Sequence, residues 1–370
     1  MIGIGSLLLL LVAWLSLLAR RGEFASRVVI IGTSPLAHQL VAEMNGRQSL
    51  RHRVAAVVED PGLDESPLDG LLAGPLTRLG GIIAELRPDR IVIALADRRG
   101  RLPMSDLLRA RVNGVVVEEG ADCYERLTGK IAIESLTPGA LIASRDFRKT
   151  HIDLAFGHVL SLLASITGIV LLAPLFALIA AAIKLDSPGP VLFIHDRAGF
   201  GGRRMRLLKF RTMRPTEGPT SEWEQDNSDR ITRVGRWLRR YRLDELPQLI
   251  NVLRGELNLV GPRPHPISNV ELFSKAIPYY SLRSVVRPGL TGWAQVRQGY
   301  ANGLQEETEK MRYDLYYIKH MSAWLDLRIL FETIRAVLAG SRRGREAPAT
   351  RRLAWWRTLA PARATRVVGG

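Results

Sequence analysis

The chain opens on an apolar run, residues 1–19, that carries no charge and meets Arg20-Arg21. At about 1.5 Å per residue the run just spans a bilayer. Its arginines follow the apolar stretch, which excludes a secretory signal and sets the next residues on the cytoplasmic side. Residues 1–21 are therefore expected to form a transmembrane helix. With no basic anchor at Met1, further spans ahead of it are expected too. From residue 24 the pattern changes to short apolar runs alternating with helical periodicity. Residues 28–31, 54–58, 90–95 and 114–117 read as strands, and 36–44 and 82–86 as helices. That alternation predicts a parallel, doubly wound sheet, a Rossmann-like α/β domain over 24–140. Its first turn, Gly32-Thr33-Ser34-Pro35-Leu36-Ala37, lacks the GxGxxG spacing that lets a backbone approach pyrophosphate. With Glu59 read as an exposed acidic strand end, a regulatory or packing module is expected there rather than a dinucleotide site.

A second apolar stretch, 152–183, holds one formal charge (Asp153) in 32 positions and is interrupted by Pro174. Basic residues flank it on both sides: Arg145, Arg148 and Lys149 before, Lys184, Arg197, Arg203 and Arg204 after. A single crossing cannot place both flanks in the cytoplasm. A re-entrant helix that breaks or bends at Pro174 and returns to the same face can. One long tilted crossing is the alternative.

The chemistry lies beyond this stretch, in a region expected to be mainly helical and membrane-associated. Residues 243–255 predict one helix, with Leu246, Leu249, Ile250 and Leu253 on its apolar face, Asp244 as N-cap, Pro247 in the first turn and Gly255 as the stop. Adjacent carboxylates, Asp244 and Glu245, then sit at a helix N-terminus, a place that favours anions. Plain capping is the competing explanation. Its surroundings weigh against capping alone. Arg236, Arg239, Arg240 and Arg242 crowd the approach, and Lys209-Phe210-Arg211 adds two cations upstream. In Gly261-Pro262-Arg263-Pro264-His265-Pro266, alternate prolines hold Arg263 on a stiff, extended backbone, suited to aim a bidentate phosphate ligand. Two carboxylates amid fixed cations suit phosphoryl transfer. One carboxylate can attack, a hard divalent ion can screen phosphates, and arginines can hold the charge that develops.

The net charge of +16 agrees with an anionic partner, although eight arginines and one glutamate in 341–370 supply +7 of it. That tail is expected to be solvated and disordered. The single cysteine, Cys123, excludes an intramolecular disulfide and a thiolate-rich zinc site. His195, His265 and His320 have no metal-ligand spacing. A nucleic-acid-binding membrane protein is a rival reading of the charge, though no nucleic acid is expected; such binding would have to show a steep salt slope. No tyrosine is followed by lysine at the fourth position, which argues against a nicotinamide-dependent sugar-nucleotide enzyme. A non-catalytic scaffold for polysaccharide assembly stays open. In 324–338, Leu327, Leu330, Phe331, Ile334 and Leu338 share one helical face, readable as core packing or as an interfacial membrane helix.

Ordered motifs over 145–340 resemble the bacterial sugar transferases of the polyprenyl-phosphate hexose-1-phosphate transferase family, the monotopic phosphoglycosyl transferases. They are Ser187-Pro188-Gly189-Pro190-Val191, Lys209-Phe210-Arg211-Thr212-Met213, the stretches 243–248 and 251–255, 260–264, Arg287-Pro288-Gly289-Leu290-Thr291-Gly292-Trp293-Ala294-Gln295-Val296, and Tyr313-Asp314-Leu315-Tyr316-Tyr317-Ile318 followed by Asp326-Leu327. An α/β domain behind a membrane segment is similar to the long subgroup. The resemblance implies transfer of a sugar 1-phosphate from a UDP-sugar to polyprenyl (undecaprenyl) phosphate with release of UMP, as the first step of exopolysaccharide or other surface-glycan synthesis. It also implies dependence on Mg2+, a catalytic domain over 145–340 with a re-entrant helix, contact with membrane lipid, and a site on the cytoplasmic face of the bacterial inner membrane. Self-association is left open. In the family pattern Asp244 matches the nucleophile that forms a phosphosugar-enzyme intermediate and Glu245 its partner. Both are candidate metal ligands. Arg263 matches the phosphate-holding arginine, Arg239 a further basic position, and Lys209 and Arg211 are expected to bind substrate. Two departures stand out: Arg242 where serine is common, and Gly255-Glu256-Leu257-Asn258 where the family has Gly-Asp-Met-Ser.

Overall fold

The computed structural model describes residues 26–46, 52–59, 70–95, 102–143, 147, 151–215, 229–298 and 303–338. The expected membrane helix over 1–21 and the basic tail over 341–370 lie outside the described residues, as do Arg145, Arg148 and Lys149.

In chain order the first unit contains β1 (Ser26–Ile31), α1 (Pro35–Gly46), β2 (His52–Glu59), β3 (Leu72–Pro75), α2 (Leu79–Leu86), β4 (Arg90–Ile93), α3 (Met104–Val112), β5 (Val116–Glu119) and α4 (Gly120–Thr128). The strands form one parallel sheet in the order β3-β2-β1-β4-β5. Alternation along β1 sends Val28 and Ile30 to the side covered by α1 and α4, and Val29 and Ile31 to the side covered by α2 and α3. Burial on both faces explains why the strand reads as an unbroken apolar run. The doubly wound sheet matches the expectation. The β3 edge strand and α3 were not legible: β3 ends in Gly74-Pro75, a turn signal, and α3 leaves Met104, Leu108 and Val112 exposed. Gly32, at φ +107°, lies so near β4 that a Cβ there would stand 2.7 Å from the Ala94 carbonyl. The glycine thus closes the turn onto a neighbouring strand.

The second unit contains α5 (His151–Asp186), the antiparallel hairpin β6 (Leu192–Ala198) and β7 (Arg204–Phe210), α6 (Arg233–Arg240), α7 (Gln248–Leu253), β8 (Asn258–Val260), α8 (Ile267–Ala276), β9 (Gly289–Thr291), α9 (Trp293–Arg297), α10 (Leu304–His320) and α11 (Ala323–Leu338). Its core gathers Phe273, Tyr280, Trp293, Met311, Leu315, Ile318 and Ile329, and takes in Ile131 and Ile133 from well before residue 140. The seam between the two cores therefore falls near Gly129, whose carbonyl accepts from the Trp293 indole at 2.9 Å. Helix α10 bridges them: Lys319 pairs with Glu125 at 2.7 Å, and Arg312 Nη1 donates to the Gln39 side-chain oxygen at 3.2 Å.

Helix α5 is one 36-residue helix that runs through Pro174, so the expected break is absent. An internal proline removes one helical hydrogen bond, and the rest of the ladder continues on either side. The helix is long and apolar enough over Gly157–Asp186 to cross a membrane. It also contacts the rest of the second unit along its length. The His158 ring lies 3.1 Å from the Asn258 carboxamide oxygen and the Ser161 hydroxyl accepts from the Leu259 N–H at 3.0 Å. Further on, Phe176, Ile179 and Ile183 pack on Phe210 and Leu238, and Asp186 accepts from the Val234 N–H at 3.0 Å. The outer side, including Leu163, Ile166, Val170, Leu171 and Leu178, is bare.

Candidate active site

Residues 243–255 do not form the single helix that their periodicity predicts. Leu243–Glu245 is a 3-10 turn, Pro247 caps the short α7, and Arg242 precedes the turn at φ +54° in left-handed geometry. Asp244 is consequently not an α-helix N-cap, and no helix dipole holds it ionised. Of the four apolar residues Leu249 is buried, Leu246 and Ile250 are partly buried and Leu253 is exposed, while the turn lodges both carboxylates in the protein, each less than a tenth exposed.

Glu245 is the anionic centre of the site. Its Oε1 accepts from Arg263 Nη2 at 2.8 Å and lies 3.6 Å from Lys209 Nζ, while Oε2 stands 3.4 Å from Arg242 Nη1. Burial alone would raise its pKa, but Arg263, Lys209 and Arg242 outweigh burial and hold the carboxyl well below its ordinary range. Asp244 is driven the other way. Burial and then the charge of Glu245 raise its pKa, against the weaker opposing pull of Lys209, Arg239 and Arg263. Burial also lowers the Lys209 ammonium, with Glu245 opposing it. The pair thus divides into a Glu245 whose carboxyl its cations pull down and an Asp244 whose carboxyl burial and Glu245 push up.

Each cation has its own mount. Lys209 comes from β7, whose Leu208 N–H donates to the buried Asn251 side chain at 3.0 Å while Asn251 Nδ2 donates to the Arg206 carbonyl at 2.7 Å. Asn251 sits on α7 just after the dyad, so it fixes the spacing of Lys209 from the carboxylates. Its place within 251–255 gave no hint of this role. Arg263 follows β8, which pairs in parallel with β9. Gly261 donates to the Thr291 carbonyl and Gly289 to the Pro262 carbonyl, both at 2.9 Å. A Cβ on Gly289 would stand 2.1 Å from the Gly261 nitrogen, so only glycine permits this approach. Arg239, on α6, donates to the Thr212 hydroxyl at 2.9 Å and contributes charge near Asp244.

Arg211 is not part of the site. Its buried guanidinium donates to the Ser187 carbonyl at 2.6 Å and the Pro188 carbonyl at 2.8 Å, clamping the loop that follows α5. Strand alternation would keep Lys209 and Arg211, two residues apart, on one side, but Arg211 lies just past the end of β7 and its side chain goes to the loop after α5 instead. Sequence reasoning also passed over a buried polar cluster behind the Arg263 loop: Arg283, Glu307, Asp314, Tyr280 and His265.

For a divalent ion, no group of three histidine, cysteine or acidic side chains converges among the described residues. Glu245 already faces three cations, which leaves Asp244 as the carboxylate able to take the ion. A lone protein carboxylate completed by substrate phosphates is a normal Mg2+ arrangement.

A model of the family described as "Bacterial sugar transferase" matches residues 152–340. A UDP-N-acetylgalactosamine-undecaprenyl-phosphate N-acetylgalactosaminephosphotransferase of Aeromonas hydrophila is 39% identical over 71% of this chain and 60% of its own length. An undecaprenyl-phosphate glucose phosphotransferase of Komagataeibacter xylinus is 35% identical over 85% of this chain and 59% of its own. A UDP-glucose:undecaprenyl-phosphate glucose-1-phosphate transferase of Caulobacter vibrioides is 46% identical over 55% of this chain and 75% of its own. The chain thus spans about 60% of the length of the first two relatives. Matched over the whole stretch that carries the dyad and its cations, the chain belongs to the bacterial sugar transferase family.

Proposed function

We propose that the protein transfers a sugar 1-phosphate from a UDP-sugar to polyprenyl phosphate at Asp244, releasing UMP. The observation that carries this reading is the division of labour in the dyad: Glu245 is consumed in holding Arg263, Lys209 and Arg242, while Asp244 is left beside them. In the first step an Asp244 carboxylate oxygen attacks the phosphorus that bears the sugar. The bond from that phosphorus to the bridging oxygen breaks, and UMP leaves with the electron pair. In the second step a phosphate oxygen of the polyprenyl acceptor attacks the same phosphorus. The aspartyl–phosphorus bond breaks, the carboxylate is restored, and a polyprenyl diphosphosugar is formed. Splitting one displacement into two is the gain from covalent catalysis. Arg263 and Lys209 lie where they would hold the equatorial oxygens as charge builds, and Arg239 adds to that field. Glu245 keeps their side chains in place and acts neither as metal ligand nor as base. Mg2+ held by Asp244 and the diphosphate oxygens would screen charge on the departing nucleotide.

Two features support a site at a membrane face with both flanks of α5 on one side. Helix α5 contacts the rest of the second unit from His158 to Asp186. A span leaving a cytoplasmic domain would release contact after its first turns. On α11, Leu325 and Ile329 face inward while Trp324, Leu327, Phe331, Ile334 and Leu338 are exposed, as an interfacial helix requires. The acceptor's lipid would then meet the dyad at the cytoplasmic face of the inner membrane, at the start of surface-glycan synthesis. The relatives' names share undecaprenyl phosphate and differ in the sugar. The test is UMP release from a panel of UDP-sugars with polyprenyl phosphate and Mg2+. Release with one or more sugars, abolished in Asp244→Asn, is expected. Release unaffected by Asp244→Asn would overturn the assignment, and none with any sugar would favour a scaffold.

A further inference from the structure

We infer that Arg283 is a positioning residue for Arg263: its guanidinium, fixed between two carboxylates of α10, holds the backbone carbonyl of Arg263 and so sets where that side chain meets the dyad. The inference rests on the reading of Arg263 as the phosphate-holding arginine.

Arg283 lies in a 3-10 turn, Tyr280–Val285, and is buried. Its Nη1 donates to Glu307 Oε1 at 3.0 Å and to the Tyr280 hydroxyl, which itself donates to Glu307 Oε1 at 2.9 Å. Its Nη2 stands 2.8 Å from Asp314 Oδ2 and donates to the Arg263 carbonyl at 3.2 Å. Glu307 and Asp314 are seven residues apart on α10, two turns along one face, and both are almost wholly buried. A planar fork of donors can serve a backbone carbonyl and two carboxylates at once, which an ammonium cannot do in fixed geometry.

The β8–β9 pairing reaches the Pro262 carbonyl, and the Arg263 carbonyl, one residue further on, accepts from Arg283. Beyond that point Arg283 restrains the loop while the Arg263 side chain reaches forward to Glu245 at 2.8 Å. A buried cluster of charge is costly to assemble and is not by itself a source of stability. Here one of the four acceptors of Arg283 is the backbone carbonyl of the phosphate-holding arginine.

The experiment is a double-mutant cycle on the full chain in lipid nanodiscs, reading kcat and KM for UMP release. The variants are Arg263→Lys, Arg283→Lys and the pair, with Asp314→Asn as a second perturbation of the same fork and tryptophan fluorescence melts as the folding control. Misplacing a catalytic group by an ångström costs on the order of 10²-fold. Arg283→Lys is therefore expected to lower kcat about that much, with KM for the UDP-sugar little changed, and the pair to be no worse than Arg263→Lys alone. Asp314→Asn should couple to Arg263→Lys in the same way. Losses that multiply, or Arg283→Lys and Asp314→Asn variants that keep full turnover, would overturn the positioning role. Loss of folding in both would make the cluster a folding element and overturn it as well. Full activity in Arg263→Lys would instead sink the underlying reading of Arg263.

Discussion

Neighbouring carboxylates that differ by one position should respond oppositely when neutralised. Glu245→Gln removes the anion that faces Arg263 at 2.8 Å, Arg242 at 3.4 Å and Lys209 at 3.6 Å. At an effective dielectric near 20 each contact represents roughly 5 kcal/mol of gross attraction, most of it repaying burial. Leaving buried partners uncompensated costs ~3–5 kcal/mol net. At about 2–4 °C per kcal/mol for a unit of this size, the second core should melt roughly 6–20 °C lower. Asp244→Asn relieves a buried repulsion with Glu245 and should stabilise by about 0.5–2 kcal/mol while abolishing turnover. The pH dependence follows from the two shifts. Glu245 is lowered on folding, so its contribution is full above the ordinary carboxylate range and is lost as pH falls through its depressed pKa. Asp244 is raised, so the protein loses stability as pH rises from the ordinary aspartate range through its folded pKa. The gain from Asp244→Asn should therefore appear at neutral pH and vanish in acid. Tryptophan fluorescence suits the assay, because no tryptophan lies between residues 15 and 222 and the buried Trp293 reports the second core. Asp244→Asn melting as low as Glu245→Gln would refute this account of the dyad.

Single cysteines near Lys149 and Lys184, in a Cys123→Ser background, should both be labelled only from the cytoplasmic side; labelling from opposite sides would establish a single crossing. A chain beginning at residue 129 should fold and release UMP without the parallel-sheet domain. One beginning at 141 lacks Ile131 and Ile133, each worth ~1.5–3 kcal/mol of burial, and should not. Equal activity from both would show that these isoleucines do not complete the second core.

The parallel sheet was legible because its central strands are buried on both faces and so read as unbroken apolar runs. Lys209, Asp244, Glu245 and Arg263 were legible as a group because charge clustered around one adjacent acid pair is rare without chemistry. Arg211 misled because it lies one residue past the end of β7, where the chain leaves the strand and the guanidinium goes to the loop after α5. The helix expected over 243–255 failed for a local reason: a 3-10 turn replaces the α-helical cap, and Leu253 ends exposed. Arg283, Glu307 and Asp314 were invisible because their partners are 24–31 residues apart in sequence and meet only when α10 packs. The role of Asn251 was hidden likewise, its partners being backbone groups of β7.

The central claim is that Asp244 forms the covalent intermediate. The direct measurement is mass analysis of the peptide containing Asp244 after the full chain is mixed with a UDP-sugar that supports turnover and Mg2+, in the absence of polyprenyl phosphate. The wild-type peptide should gain the mass of one sugar phosphate, with one equivalent of UMP released, and Asp244→Asn should show neither. An adduct on any other residue, an adduct that persists in Asp244→Asn, or UMP that appears only once the acceptor is added would contradict it.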